Sequence, residues 1–284
     1  MISEFLQGIL EVLAYFGASF VLVVVGKVAY QLFHPGINVK HELVEKDNFS
    51  FSLAHTGYLV GLLLSIASVM MGESNGLQSD LLDIGFYGLL GILLLNVAVL
   101  VNDKLILSKF DIKKEIIVDQ NVGSGAVEAG SAVATGLVIL GSIYGEGGSV
   151  LTVLIYFAIG QLILVLTSFV YNWITPYDIH EHIERDNIAV GIGFAGALVA
   201  IGNLVRNALV HTFVDWETNI LWLVLEVLLG LMLLPLARWM ADKILLPGQN
   251  LNDEIVNQEK PNVGAGLIEA FAYVGGSMLI CWAL

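Results

Sequence analysis

The chain has 284 residues, 57% of them hydrophobic and only 13% charged, with a formal net charge of -14 and a mean hydropathy of +0.81. A soluble domain carries about twice that charged fraction, so a water-soluble globular fold is excluded. The acidic balance argues against nucleic acid as a partner and leaves no basic patch for anionic lipid.

A membrane span needs about 20 predominantly apolar residues. The first block, 5–33, follows the leader Met1-Ile2-Ser3-Glu4, which has no basic n-region. It is too long for a signal-peptide core and is expected to stay as the first helix. Further blocks follow at 49–71, 82–107, 122–144, 150–174, 188–211, 218–246 and 263–284. Several are long enough to tilt. The predicted fold is an all-α integral membrane protein with eight transmembrane helices. Pro235 is expected to kink the seventh. Trp173, Tyr177, Trp216 and Trp239 read as an aromatic belt. The lone Cys281 excludes an internal disulfide. No metal-spaced His/Cys cluster, nucleotide loop or serine elbow is present, so no metal, cofactor or enzymatic activity is expected.

All of the 12 Lys and Arg residues except Arg206 fall at the inner helix ends or in the connectors 34–48, 108–120, 175–187 and 247–261. Positive residues mark the cytoplasmic side. The connectors are therefore expected in the cytoplasm and both termini outside, in the periplasm.

Internal repeats organise the chain. His41-Glu42-Leu43-Val44-Glu45-Lys46-Asp47-Asn48 matches His180-Glu181-His182-Ile183-Glu184-Arg185-Asp186-Asn187, and Asp103-Lys104 matches Asp242-Lys243 at the same offset. Tyr30 and Pro35 match Tyr171 and Pro176 with a two-residue slip. Residues 1–145 and 146–284 thus form two four-helix halves. Each divides again, into units 1–71 and 72–145, then 146–211 and 212–284, giving parallel repeats of a two-helix unit.

Four helices start with Asn48, Asn121, Asn187 and Asn262. Such residues are expected to cap free backbone N–H groups where water is scarce. Gly57, Gly130 and Gly196 recur nine residues on, with Phe271 as the exception, and Gly61 and Gly275 recur thirteen on. Small residues on one face predict close helix packing. Seven residues on stand His55, Glu128, Phe194 and Glu269, which the fourfold repeat predicts as an inner ring of non-equivalent positions.

The Asp-Asn-x-Ala/Ser starts, the run Asn121-Val122-Gly123-x-Gly125-x-x-Glu128-Ala129-Gly130 and the trailing Gly-rich helix resemble the bacterial inner-membrane proteins of domain of unknown function 350, typified by the YjfL-like proteins. The resemblance covers nearly the whole chain, in a tandem duplicated form. It implies an inner (plasma) membrane location and the helix count, and supplies no function. His55, Phe194 and Phe271 depart from its pattern.

A charge inside the bilayer costs on the order of 3 kcal/mol and is a functional candidate by default. Glu128 and Glu269 lie about 10 Å beyond their capping Asn at 1.5 Å per residue. They read either as a polar site or as helix glue bonded to Lys104, Lys243 or Arg238. Glu11 and Glu226 lie in the outer third, as site members or as side chains snorkelling outward. His55 reads as a packing histidine or as a proton carrier. The Asp103-Lys104 and Asp242-Lys243 pairs read as anchors at the inner interface. Glu42, Glu45, Glu181 and Glu184 read as a solvated connector face. Three functions fit these residues. One is a channel or transporter for cations or protons using the carboxylates. Another is a scaffold recruiting a cytoplasmic stress-response or membrane-remodelling partner through the connectors. The last is a homo-oligomer that organises the lipid bilayer through its small-residue faces.

Overall fold

The computed structural model describes every residue except Met1, Glu73, Ser108, Phe110, 145–148, Thr212 and Pro247, together with all side chains of the others save Ile2, Ser3, Glu4 and Leu6. The predicted boundary between the halves, at 145/146, lies outside the described residues. Among the described residues, eight helices are long and apolar enough to cross a membrane. They are α1 (Ile2–Phe33), α2 (Phe49–Met70), α3 (Leu77–Leu105), α4 (Val122–Tyr144), α5 (Val150–Ile174), α6 (Ile188–Leu209), α7 (Trp216–Met240) and α8 (Val263–Ala283). The chain runs through Pro235 without leaving α7. Side chains such as Phe16, Phe20, Leu162, Phe169 and Met232 are exposed, as lipid contact requires.

Each of the four asparagines caps its helix. The side-chain oxygen of Asn48 accepts from the Phe51 amide at 3.0 Å, Asn121 from Ser124 at 2.9 Å, Asn187 from Val190 at 3.1 Å and Asn262 from Ala265 at 3.2 Å. The amide nitrogen does a second job. Asn48 donates to the Ile116 carbonyl (2.9 Å), Asn121 to Ile183 (2.7 Å) and Asn187 to Ile255 (2.8 Å). Every one of those carbonyls belongs to the connector of the following unit, so the caps stitch unit to unit. Asn262, in the last unit, donates instead to Glu254 of its own connector at 2.7 Å. Before three of the caps, Asp47, Gln120 and Asp186 take positive φ values of 50°, 55° and 58°, the tight reversal that lets the connector turn into the helix.

The even-numbered helices pack in a row: α2 on α4, α4 on α6, α6 on α8. The odd-numbered helices lie alongside as a second layer, α3 against α2 and α4, α5 against α4 and α6, α7 against α6 and α8. The row replaces the predicted inner ring. The row runs across the boundary between the halves, since α4 packs on α6 as it does on α2. One contact recurs at every step of the row. A Cβ at Gly57 would collide with the backbone of Ala129, at Gly130 with Ala195, and at Gly196 with Ala270. A second recurs lower down, Gly125 on Ser50, Gly191 on Gly123 and Gly266 on Ala189. Backbone-on-backbone contact of this kind supplies dispersion where no hydrophobic drive between helices exists.

Phe271 now has a reason. It stands where the series would place the next glycine, but α8 ends the row, and the ring is 63% exposed. Gly61 packs on the Ala132 backbone as expected. Gly275 corrects the expectation for its position: a Cβ there would meet only the Phe271 ring, at 3.6 Å, and among the described residues no other helix comes within 4 Å of it.

Candidate functional site

The positions seven residues past each cap turn toward the odd-numbered layer and form one site per half. In the first half Tyr30 of α1, His55 of α2, Asp103 of α3 and Glu128 of α4 converge. In the second, Tyr171 of α5, Phe194 of α6, Arg238 of α7 and Glu269 of α8 do so. Glu128 and Glu269 therefore occupy separate sites rather than a shared central cavity.

The second-half site is closed. Glu269 is fully buried and ion-pairs with Arg238. It accepts hydrogen bonds from the hydroxyls of Tyr171 at 3.2 Å and Tyr273 at 3.1 Å. Arg238 also donates to Asn252 Oδ1 at 2.5 Å and lies over the Tyr177 ring, 5.6 Å from its centroid. Gly193 leaves room for the carboxylate, because a Cβ there would stand 2.6 Å from Glu269 Oε2. Phe194 stacks on Tyr171 with centroids 5.1 Å apart. The cation and both hydroxyls reach Oε1, Oε2 has no partner among the described residues, and Asp242 is drawn off to the Leu251 amide at 2.6 Å.

The first-half site is open. Glu128 is half-buried and shares the wall of one cavity with Asp103. Among the described residues no Lys or Arg forms an ion pair with either carboxyl, and Asp103 Oδ1 has no partner. Both line a cavity of about 270 Å³ at the connector end, with Tyr30, His34, Ile112 and Lys113. The Lys113 ammonium crosses Gly36 at the rim. His34 Nδ1 lies 2.9 Å from the Tyr30 carbonyl. His55 is buried among aromatic rings, 4.7 Å from Tyr30 and 5.4 Å from Phe51, with Nδ1 unpartnered. The register explains the difference between the halves. Four residues before Asp242 stands Arg238, and four before Asp103 stands Val99.

Deeper along α4, Ser131 and Thr135 follow Glu128 at helical spacings of three and seven. Asn102 Nδ2 donates to Ser131 Oγ at 2.9 Å and to Thr135 Oγ1 at 3.2 Å, and Gln161 Nε2 of α5 reaches Thr135 Oγ1 at 3.4 Å. At the outer end of the same half, Asp80 and Asp83 line a second cavity of about 220 Å³ with Tyr15, Ser68 and Tyr87. Tyr15 and Ser74 each donate to Asp80 at 2.6 Å.

The remaining expectations land elsewhere. Glu226 is buried rather than snorkelling outward, 3.2 Å from Asn207 and 3.3 Å from His211. Glu11 sits apart on α1, accepting from Gln7 at 3.0 Å. The connector acids do not form one solvated face. Glu42 is buried under Asn48 and Lys46, whereas Glu45 and Glu181 are exposed and paired with His41 and Arg185. Asp103, read as an anchor, is the residue sequence reasoning missed. Its position one residue after a buried Asn102 was the available signal.

The sequence matches the family described as Domain of Unknown Function (DUF350) twice, over residues 4–143 and 147–284. It is also similar to a UPF0719 transmembrane protein from Aquifex aeolicus (strain VF5), 24% identical over 186 residues, a stretch that covers 64% of this chain and 66% of that relative. No solved structure matches. With eight apolar spans and two consecutive matches that together cover nearly all of its length, this chain is a multi-pass membrane protein belonging to the DUF350 family.

Proposed function

We propose that this protein moves cations or protons across a bacterial inner membrane through its first half, with the connectors in the cytoplasm and both termini in the periplasm. The observation that carries the reading is the carboxyl pair Asp103–Glu128, half-buried and without a cationic partner among the described residues. Two carboxylates lining one cavity at the edge of a low-dielectric interior favour a proton or a cation between them over two bare charges. A site of that kind both attracts and releases positive charge, as conduction requires. The acidic cavity around Asp80 and Asp83 supplies an entry of the same sign at the opposite end. Between the two lie Ser65, Asn96, Asn102, Ser131 and Thr135, buried polar residues on α2, α3 and α4. The positive-inside distribution supports the orientation.

The test is flux in proteoliposomes, with a pH-sensitive dye and with a monovalent cation tracer. Wild type and the exposed-connector control Glu181→Gln should pass one of the two, and the double variant Asp103→Asn, Glu128→Gln should not. Equal flux in the double variant, or no flux above empty liposomes in wild type, overturns the reading.

A further inference from the structure

The cavity at the outer end of the first half carries more charge than the loop above it needs. Asp80 Oδ1 accepts from the Asn75 amide at 2.9 Å and so closes the loop before α3. The offset that pairs Asp103 with Asp242 also pairs Asp80 with Asn219 of α7, and Asn75 with Val214. Asn219 Oδ1 accepts from the Val214 amide at 3.0 Å, the same bond at the same place. A neutral amide therefore closes this loop as a carboxylate does. The first half nonetheless carries Asp80, and one helical turn on it adds Asp83. The counterpart of Asp83 is Trp222, an exposed ring.

Both aspartates line the cavity, whose volume is about 220 Å³. Tyr15, Tyr87 and Tyr144 bring three aromatic rings to it, and Val69, Met70, Ile84 and Ile143 form an aliphatic wall. Among the described residues no Lys, Arg or His lines it. Larger side chains stand at matching positions of the second half. The counterpart of Ser74, which lines the cavity, is Phe213. Its ring meets Trp216 edge-on at 5.2 Å, and Trp216 packs on Tyr156 at 5.7 Å.

We propose that this cavity binds an alkylammonium group, its charge held by Asp80, Asp83 and the tyrosine rings and its carbon part by the aliphatic wall. Carboxylates together with aromatic faces are the set that recognises an organic cation. A metal ion is poorly served. Asp80 Oδ2 already accepts from the Tyr15 and Ser74 hydroxyls at 2.6 Å each, and Oδ1 from Asn75, so Asp80 lends its field more than free lone pairs. A divalent ion takes about six or more oxygens, and among the described residues no group of three or more His, Cys, Asp or Glu is placed to hold one. A neutral ligand would leave both charges uncompensated. The volume is below the roughly 300 Å³ of the smallest drug-sized pockets, so the group held is small. A free amine and the ethanolamine headgroup of a phospholipid share this chemistry. The inference goes beyond the proposed route, because binding here requires no flux.

The experiment is isothermal titration of the purified full-length protein in detergent with choline chloride and with ethylammonium chloride, against sodium chloride at equal ionic strength. Wild type should bind one of the two organic cations saturably, and an equal concentration of sodium should not displace it. Asp83→Asn should weaken binding about tenfold. So should Asp80→Asn, with the melting temperature unchanged, because Asn219 already closes the matching loop as an amide. Tyr87→Leu should weaken binding about fivefold, and Tyr87→Phe, which keeps the ring, should not. That pair separates recognition from folding. No saturable binding of either cation overturns the proposal, as does binding unchanged in both aspartate variants or full displacement by equal sodium. Phosphatidylethanolamine added to the micelles distinguishes the sources. Competition with the soluble cation assigns the site to a lipid headgroup, and lack of competition assigns it to a free amine; both keep the alkylammonium site. Because the titration reads no flux, a protein that binds but passes no ion keeps this site and overturns only the route.

Discussion

Glu128 and Glu269 occupy the same place in the same repeat and live in opposite surroundings. Glu269 is fully buried, with Arg238 and the Tyr171 and Tyr273 hydroxyls around it. Glu128 looks across a cavity at a second carboxyl. The scaffold runs through both halves as far as α8: Asn48, Asn121 and Asn187 tie unit to unit, Gly57, Gly130 and Gly196 let the next helix's alanine touch, and Asn262 and Phe271 end the series. The repeats therefore keep the packing contacts alike while their buried polar positions differ. One substitution decides the outcome. An Arg four residues before Asp242 neutralises the second site, and a Val four residues before Asp103 leaves the first without a cation.

The largest expected effect tests that contrast on stability. Arg238→Leu leaves Glu269 buried and unpaired, and breaking a buried pair costs about 3–5 kcal/mol. Thermal unfolding in detergent should show a large loss. Glu128→Gln should raise the melting temperature or leave it unchanged, because it removes one of two adjacent like charges. Equal losses would mean that the two sites are alike after all.

A smaller effect separates the middle of the row from its end. Gly130→Val drives a side chain into the Ala195 backbone, and overpacking of this kind costs about 1–3 kcal/mol. Phe271→Gly removes a ring from the open face of α8 and should cost less. If the melting temperatures fall in the reverse order, the row does not end at α8 under those conditions.

The smallest effect lies where the halves meet at the connector end. Lys109 donates to Asp178 at 2.5 Å, and that bond holds the Asp178 carboxyl below its ordinary range. A depressed carboxyl contributes stability above its unfolded value and loses it as pH falls through the folded one. The loss should therefore come on the acid side, below about pH 4, the ordinary range of an aspartate. Exposed pairs of this kind contribute less than about 1 kcal/mol. Asp178→Asn should flatten the acid limb of the melting curve, and an unchanged limb would remove this pair from the account.

Much of the architecture could be read directly. The eight spans, the fourfold unit and the asparagine caps follow from residues close together in the chain, where hydropathy and helical spacing act locally. Even the Phe271 exception was visible, although its meaning was not. The site was half legible. Glu128 and Glu269 stood out because intramembrane carboxylates are costly wherever they fall. Arg238 was one of three candidate partners, and Asp103 was not among them, because it reads as an inner-interface anchor until the helices are set side by side.

By itself, then, the sequence determined that this is a membrane protein of four repeated helix pairs, and which residues face inward from each helix. Only the tertiary structure decided that the even helices form a row and not a ring, and that each Glu meets a different neighbour. The reason is physical: helical periodicity selects a face, but the helix that covers that face is chosen by close packing and charge compensation between segments distant in the chain.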